Sequence, residues 1–124
     1  MKNTLNWFEI PATDFARAKA FYATVLDSQI HESPIPGLQY GYLPYDQSSG
    51  GVGGAIVAGD GNAPATTGTV VYLNGGNDLA IPLSRVEEAG GRVILPKTEI
   101  GPGMGFMALF IDSEGNKVGF HSIL

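Results

Sequence analysis

The chain repeats one order of predicted elements, and this repeat limits the folds that it can adopt. A strand at residues 7–10 is followed by a helix at about 15–26 and three short strands, and the same order begins again with a strand at 69–73. The offset of about 63 residues aligns Phe8 with Val71. A single unit of this kind leaves one apolar sheet face uncovered. The repeat therefore predicts an α+β fold with two four-stranded mixed sheets, each covered by a helix.

The second copy is less regular than the first. Its helix is predicted at about 79–89, and Pro82 fits only in the first turn because proline has no N–H to donate. A strand at 92–95, a loop at 96–105 and a closing hairpin at 106–122 follow. A segment rich in glycine and polar residues separates the two copies. We therefore predict a single domain in which module one spans about 5–59, a linker about 60–68 and module two about 69–124.

The composition excludes several classes of function. The chain has 124 residues, a formal charge of −5 and a pI near 4.7, which argues against nucleic acid and anionic membranes as partners. It has no cysteine, so disulfides, thiolate metal sites and a cysteine nucleophile are excluded. The sequence shows no secretory signal and no apolar run of about 18 residues, and we expect a cytoplasmic protein.

Three stretches carry a resemblance to a known family. They are Trp7–Asp14 with Ala20-Phe21-Tyr22, then Arg85–Gly91, then Ile111–Asn116. In these stretches and in their order, the chain resembles the vicinal oxygen chelate superfamily, the group of glyoxalases, bleomycin-resistance proteins and extradiol dioxygenases. The resemblance implies a glyoxalase-like fold in which two βαβββ modules form a mixed-sheet cup. It also implies a homodimer, because two chains of the family often share that cup.

The resemblance also bears on metal binding. Metal-dependent members of the superfamily hold a divalent ion with His, Gln or Glu on the first and last strands of each module. In this chain, those positions correspond to Trp7, Ala55, Val70 and Gly119, with Asn6 as a weak donor beside the first. Side chains of Trp, Ala, Val and Gly supply no ligand to such an ion. We therefore expect no metal and no cofactor; a site formed by Glu9, His121 and two further donors is the alternative.

Strand alternation predicts which side chains face the cup. A mostly aromatic wall with a few polar groups is typical of a small-molecule pocket. The side chains predicted to face the cup are Trp7, Glu9, Tyr40, Tyr42, Tyr72, Asn74, Ala108, Phe110 and His121. Those predicted to contact the ligand are Trp7, Tyr40, Tyr42, Tyr72, Asn74 and Phe110.

Glu9 and His121 are the candidate catalytic residues. Glu9 is an acid within an apolar strand, and a desolvated carboxyl holds its proton closer to neutral pH, as a general acid or base requires. The alternative is structural, with Glu9 satisfied by tyrosine hydroxyls or the backbone and His121 solvated. The sequence predicts a metal-free protein that binds a small organic molecule. The alternative is a lyase or isomerase of glyoxalase type that uses Glu9 and His121, or a member that depends on a divalent metal.

Two further features are assigned no chemistry. The segment Gly101–Gly105 is rich in glycine, but it lacks the strand before it and the helix after it that a phosphate loop needs. We interpret this segment as a flexible turn at the rim of the cup. His31 lies on a short edge strand beside Glu32, and we expect it to be solvated.

Overall fold

The computed structural model describes residues 2–124, which form two four-stranded sheets. In chain order the elements are β1 (Trp7–Pro11), α1 (Phe15–Val25), β2 (His31–Glu32), β3 (Gln39–Tyr42), β4 (Gly53–Ala58), β5 (Tyr72–Asn74), α2 (Ala80–Leu83), β6 (Arg92–Gly101), β7 (Gly105–Ile111) and β8 (Lys117–Ser122). Sheet 1 has the order β1-β4-β3-β2, and sheet 2 has the order β5-β8-β7-β6. In each sheet the first strand is parallel to the last strand of its module, and the other neighbours are antiparallel. Module 1 (β1–β4) and module 2 (β5–β8) therefore share one topology, which confirms the predicted α+β fold.

Helix α1 lies between the two sheets. Asp14 begins it as an N-cap whose side chain accepts a hydrogen bond from the N–H of Arg17 at 3.1 Å. Phe15 packs against sheet 1, and the ring centroid of Phe21 lies 6.1 Å from that of Phe110 in sheet 2. With 11 residues it is short, and no helix among residues 2–124 has the length and apolarity to cross a membrane. Contacts of α1 with both sheets give the two modules one shared core.

Each sheet has one face in this core and one face that points away from it. Ile10 and Ile56 of sheet 1 and Val118 and Phe120 of sheet 2 are buried in the core. We call the opposite side of each sheet its open face. By strand register, the open face of sheet 1 carries Trp7, Glu9, Tyr40, Tyr42, Ala55 and Val57, and that of sheet 2 carries Tyr72, Asn74, Met107, Leu109, Gly119 and His121.

Two elements of module 2 differ from the sequence prediction. Helix α2 is short, and residues 84–90 continue as irregular turns, in which the N–H groups of Arg85 and Val86 bond to the carbonyl three residues back instead of four. Strand β6 runs through Pro96 to Gly101, where the sequence predicts a loop. Proline is tolerated there because β6 is the edge strand of sheet 2 and its register shifts at irregular points.

The predicted place of Phe110 on the cup face is wrong. In the β7–β8 ladder, Phe110 lies opposite Val118, and Ala108 lies opposite Phe120. Directly opposite residues share one face of an antiparallel sheet, so Phe110 and Ala108 both belong to the core. Phe110 is fully buried, and its ring centroid lies 5.1 Å from that of Phe120. Alternation within β7 defines two faces, but the register of the closing turn decides which face is buried.

Candidate functional site

A cavity of about 950 Å³ opens on sheet 1. Three aromatic side chains of the open face, Trp7, Tyr40 and Tyr42, line it, and Tyr45 joins them from the loop between β3 and β4. The other lining residues are Ser28, Gln29, His31, Ile35, Leu43, Pro44 and Gln47. Its volume, its four aromatic side chains and its few polar groups are typical of a pocket for a small molecule.

Trp7, Tyr40, Tyr42 and Tyr45 form a group that we call the aromatic box. The ring of Trp7 stands nearly perpendicular to the rings of Tyr42 and Tyr45, at 79° and 81°, with centroid distances of 5.9 and 5.6 Å. Tyr40 and Tyr42 make a similar contact at 5.8 Å and 78°. Tyr45 can approach because residue 53 is a glycine, and a Cβ on Gly53 would overlap its ring. Three edge-to-face contacts, each nearly perpendicular, therefore connect the four rings.

A chain of two hydrogen bonds links the aromatic box to Glu9. The indole Nε1–H of Trp7 donates to the hydroxyl of Tyr40 at 2.8 Å, and this hydroxyl donates to Oε2 of Glu9 at 2.8 Å. Burial, and after it the hydrogen bond to Glu9, raises the pKa of Tyr40 above the ordinary tyrosine value. The hydroxyl therefore remains a donor to Glu9 at neutral pH.

Glu9 itself is exposed on the open face of sheet 1. The core side of strand β1 carries Phe8 and Ile10, whereas its open side carries Glu9 beside Trp7. The desolvation that the sequence suggests for Glu9, as the basis of an acid–base role, is therefore absent in the single chain. The contact with Tyr40 corresponds to the alternative in which a tyrosine hydroxyl satisfies the carboxylate.

The open face of sheet 2 is more closely covered. Tyr72, Asn74 and His121 line a cavity of about 390 Å³ there. The ring of Tyr72 lies over Gly119, and a Cβ at residue 119 would lie 2.5 Å from it. Gly119 occupies the position that corresponds to a carboxylate ligand in the metal-dependent proteins that the chain resembles. An aromatic ring therefore fills the space that the missing side chain leaves.

His121 holds the turn between β6 and β7. Its Nε2–H donates to the carbonyl oxygen of Met104 at 2.9 Å, which fastens the segment Gly101–Gly105 to β8. Glu9 and His121 lie on the open faces of two different sheets, and the shared core lies behind each of them. A single chain thus does not bring the two candidate catalytic residues together.

The described chain does not assemble the donors of a divalent metal site. Among residues 2–124, no three side chains of His, Asp or Glu lie close enough together to hold an ion. The positions that correspond to ligands of metal-dependent proteins carry Trp7, Ala55, Val70 and Gly119, and Tyr72 covers the last of these. The residues present therefore do not fit such a metal ion.

The sequence matches one family over nearly its whole length. A sequence model of the Glyoxalase/Bleomycin resistance protein/Dioxygenase superfamily matches residues 4–120. The chain belongs to this superfamily. The match confirms the resemblance that the three sequence stretches indicate. No curated protein sequence matches the chain.

Solved structures of other superfamily proteins have a similar fold. Glyoxalase I from Zea mays aligns with a TM-score of 0.68 at 19% identity, over 95% of this chain and 45% of its own. The chain thus spans less than half the length of that enzyme. The fosfomycin resistance protein FosX from Listeria monocytogenes aligns with a TM-score of 0.65 at 15% identity, over 98% and 94% of the two chains. A glyoxalase/bleomycin resistance protein/dioxygenase family enzyme from Burkholderia phytofirmans PsJN aligns with a TM-score of 0.65 at 14% identity, over 96% of this chain and 98% of its own. At these identities the likeness establishes the fold alone.

The turn between β7 and β8 joins the two modules of this superfamily member. Asp112 is 3% exposed and accepts four hydrogen bonds, one of them from the hydroxyl of Tyr22 on α1 at 2.7 Å. Asn116 donates through Nδ2 to the carbonyl oxygen of Pro11 at 2.7 Å. Burial, and after it the carboxylate of Asp112, raises the pKa of Tyr22 well above its ordinary value, so the hydroxyl remains a donor. The Phe-Tyr helix segment and the Asp-x-x-Gly-Asn turn are therefore two halves of one structural joint.

Glu114 completes this joint at the start of α1. Its carboxylate is shielded from solvent and accepts hydrogen bonds from the N–H groups of Thr13 and Asp14 at 3.0 and 2.7 Å and from Nε of Arg17 at 2.7 Å. Burial acts to raise the pKa of Glu114, but the hydrogen bonds from Arg17, Asp14 and Ser113 outweigh it, and the pKa is lowered. We call Asp112, Glu114 and Asn116 the inter-module tie.

Tyr45 and His31 line the cavity although the sequence assigns neither of them to the site. Tyr45 lies in the loop between β3 and β4, where alternation no longer gives side-chain direction. Its one signal in the sequence is Gly53, which leaves space beside Trp7. His31 is exposed, as expected, and it also lines the cavity because it pairs with Tyr42 in the β2–β3 ladder.

Proposed function

We propose that this protein binds a small organic molecule in the aromatic box and does so without a metal ion. The observation that carries the proposal is the cavity of about 950 Å³ on sheet 1 with its wall of four aromatic rings. Aromatic rings offer a large apolar surface, while the tyrosine hydroxyls and Glu9 offer directed polar contacts. The absence of ligand side chains at the positions of the superfamily's metal supports binding over metal chemistry. Bleomycin-resistance proteins are the model for such a function.

We further propose a homodimer in which two copies share the site. The residues predicted to contact the ligand are divided between the open faces, with Trp7, Tyr40 and Tyr42 on sheet 1 and Tyr72 and Asn74 on sheet 2. Tyr42 and Tyr72 leave 37% and 48% of their surface exposed. A second copy that sets its sheet 2 against sheet 1 of the first would cover both tyrosines and join the two halves into one cup.

Trp7 supplies the test because it is the single tryptophan of the chain and lines the cavity. We expect a library of small organic molecules to contain compounds that change the fluorescence of Trp7 and saturate at one molecule per cavity by calorimetry. Tyr42→Leu should weaken their binding about tenfold, because one wall of the box is lost. Ile81→Ala, a change at an exposed residue of α2, is the control and should leave the affinity unchanged.

Three outcomes contradict the separate parts of this proposal. A library without a saturating compound, or compounds whose affinity is insensitive to Tyr42→Leu, contradicts binding in the aromatic box. Stoichiometric zinc, nickel, manganese or iron in protein purified without added metal contradicts the metal-free part. A monomer in sedimentation experiments at ligand saturation contradicts the homodimer.

A lyase or isomerase of glyoxalase type is the second candidate. The observation that favours it is the exposed carboxylate of Glu9, which Tyr40 holds at the edge of the aromatic box. In the proposed dimer, Glu9 of one copy and His121 of the other would meet across the cup as a proton-transfer pair.

Mixed dimers test this candidate. Glu9→Gln and His121→Ala should each lower turnover about 100-fold or more. Refolding the two variants together should restore about a quarter of the wild-type activity, because half of the dimers are mixed and one of their two sites is intact. Turnover that survives Glu9→Gln, or no recovery in mixtures of properly dimeric variants, rules the pair out.

A further inference from the structure

We infer that the ligand of the aromatic box is an organic cation, such as a quaternary ammonium compound. This inference rests on the proposed function and names the class of molecule that the site would take. It follows from three features of sheet 1: the arrangement of the rings, the charges around them and the state of Glu9.

The aromatic box presents several rings to one bound group. Trp7 has Tyr42 and Tyr45 as near-perpendicular neighbours, and Tyr40 stands perpendicular to Tyr42. All four rings line the same cavity, so a group bound there lies against more than one aromatic side chain. The faces of indole and phenol rings carry partial negative charge, and indole attracts cations most strongly.

The residues that line the cavity carry no fixed positive charge, and one carboxylate lies behind them. Of the residues that line the cavity among positions 2–124, none is lysine or arginine, and His31 at the rim is the one titratable base. Glu9 does not line the cavity, but its carboxylate accepts the hydroxyl of Tyr40 at 2.8 Å, directly behind the box. Lys117 shares a separate cavity of about 60 Å³ with Glu9 but forms no ion pair with it. The chain as a whole carries a charge of −5, which also favours the approach of a cation.

Glu9 is free to act as the counter-ion of a ligand. One of its oxygens accepts the hydroxyl of Tyr40, and within residues 2–124 no Lys, Arg or His neutralises its charge. A neutral ligand would cover the site but leave the negative charge of Glu9 beside it without a counter-ion. An anionic ligand would be repelled by both the carboxylate and the ring faces. A cation gains from both the aromatic rings and the carboxylate of Glu9.

Matched probes of one shape and three charges test the inference on the unmodified protein. Choline, 3,3-dimethylbutan-1-ol and 3,3-dimethylbutanoate share a branched end group and differ in charge. We expect choline to bind at least about tenfold more tightly than the alcohol, and the carboxylate to bind most weakly, by calorimetry and by the fluorescence of Trp7. Equal or tighter binding of the alcohol or the carboxylate overturns the inference.

The source of the preference is tested with one pair of variants. Glu9→Gln keeps an acceptor for Tyr40 but removes the charge, and it should reduce choline affinity about fivefold while leaving the alcohol unchanged. Glu88→Gln is the same change at an exposed residue outside the cavity. It should alter neither the affinity for choline nor the affinity for the alcohol. A preference for choline that survives Glu9→Gln in full overturns the role of Glu9.

The failure of this inference is distinguishable from the failure of the proposed function. If none of the three probes binds, while neutral or anionic library compounds still saturate the box, the cationic preference is wrong and the binding function stands. If no library compound of any charge saturates the box, both are wrong.

Discussion

The two modules have the same strand order, but the segment that joins the third strand to the fourth has a different role in each. In module 1 the connection from β3 to β4 covers residues 43–52 and carries Tyr45 into the aromatic box. In module 2 the connection from β7 to β8 covers residues 112–116 and folds back onto α1 as the inter-module tie. One topology therefore supports a cavity in one copy and a structural joint in the other, and the connecting segment makes the difference.

The open faces show the same division. On sheet 1 the aromatic side chains stand around a wide cavity, whereas on sheet 2 the ring of Tyr72 lies over Gly119 and leaves a smaller one. Module 1 thus holds most of what can recognise a ligand, and the turn of module 2 holds what keeps the modules together. Duplication of a unit allows such a division, because each copy is free to lose what the other retains.

A pair of Asp→Ala variants in the two connections gives the largest expected contrast. Asp112→Ala should lower the free energy of unfolding by about 4 kcal/mol, because the hydroxyl of buried Tyr22 and the N–H groups of the turn lose their acceptor. Asp46→Ala should cause no measurable change, since its hydrogen bonds from Ser48 and Ser49 lie in an exposed loop. Urea denaturation of both variants measures the difference. Equal losses at the two positions would show that the joint is not specific to module 2.

A pair of Glu→Gln variants gives a smaller contrast that depends on pH. At neutral pH, Glu114→Gln should lower the free energy of unfolding by about 2 kcal/mol, because Arg17 and two N–H groups lose an ionised acceptor. The folded-state pKa of Glu114 is lowered, so its contribution is complete above the ordinary glutamate pKa and is lost as the pH falls through the lowered value.

The gap between wild type and Glu114→Gln should therefore close in acid, as followed by thermal or urea unfolding at a series of pH values. In module 1, Glu32→Gln removes an exposed pair with Lys19 and should change stability little at any pH. A gap at Glu114 that stays constant in acid argues against an ionised carboxylate at the joint.

A pair of Gly→Ala variants gives the smallest expected contrast. A methyl group at Gly53 overlaps the ring of Tyr45, so Gly53→Ala should displace that ring and weaken ligand binding about fivefold. Gly119→Ala displaces the ring of Tyr72 in the same way but should weaken binding less than twofold, because the aromatic box remains intact. Calorimetry with a ligand of the box measures both. A larger loss of affinity for Gly119→Ala than for Gly53→Ala would show that the ligand binds mainly at sheet 2.

Much of the fold can be predicted from the sequence because its signals are local and repeated. The structure contains the elements that three local signals mark. These signals are Pro11 at the end of β1, the helical spacing after Asp14 in α1, and the turn at 112–116 between β7 and β8. The extension of β6 through Pro96 cannot be predicted locally, because proline is acceptable only at a sheet edge, and strand order decides where the edge lies.

The site is less predictable, because it depends on which face of each strand is covered. Trp7, Tyr40 and Tyr42 share a face as alternation predicts, since all three belong to strands of one sheet with regular register. The prediction for Phe110 is wrong because the pairing of β7 with β8 decides which face of β7 is buried. Tyr45 is missed because its direction comes from tertiary packing on Gly53.

The inter-module tie also sets an order of events during synthesis. The N–H groups of Thr13 and Asp14 at the start of α1 are satisfied by Glu114, which follows them by 101 and 100 residues. While the chain emerges from the ribosome, the first helix therefore remains without these partners until nearly all of module 2 has been made. Contacts of such large sequence separation form slowly. The start of α1 is thus completed late, although the strands that carry the cavity are made first.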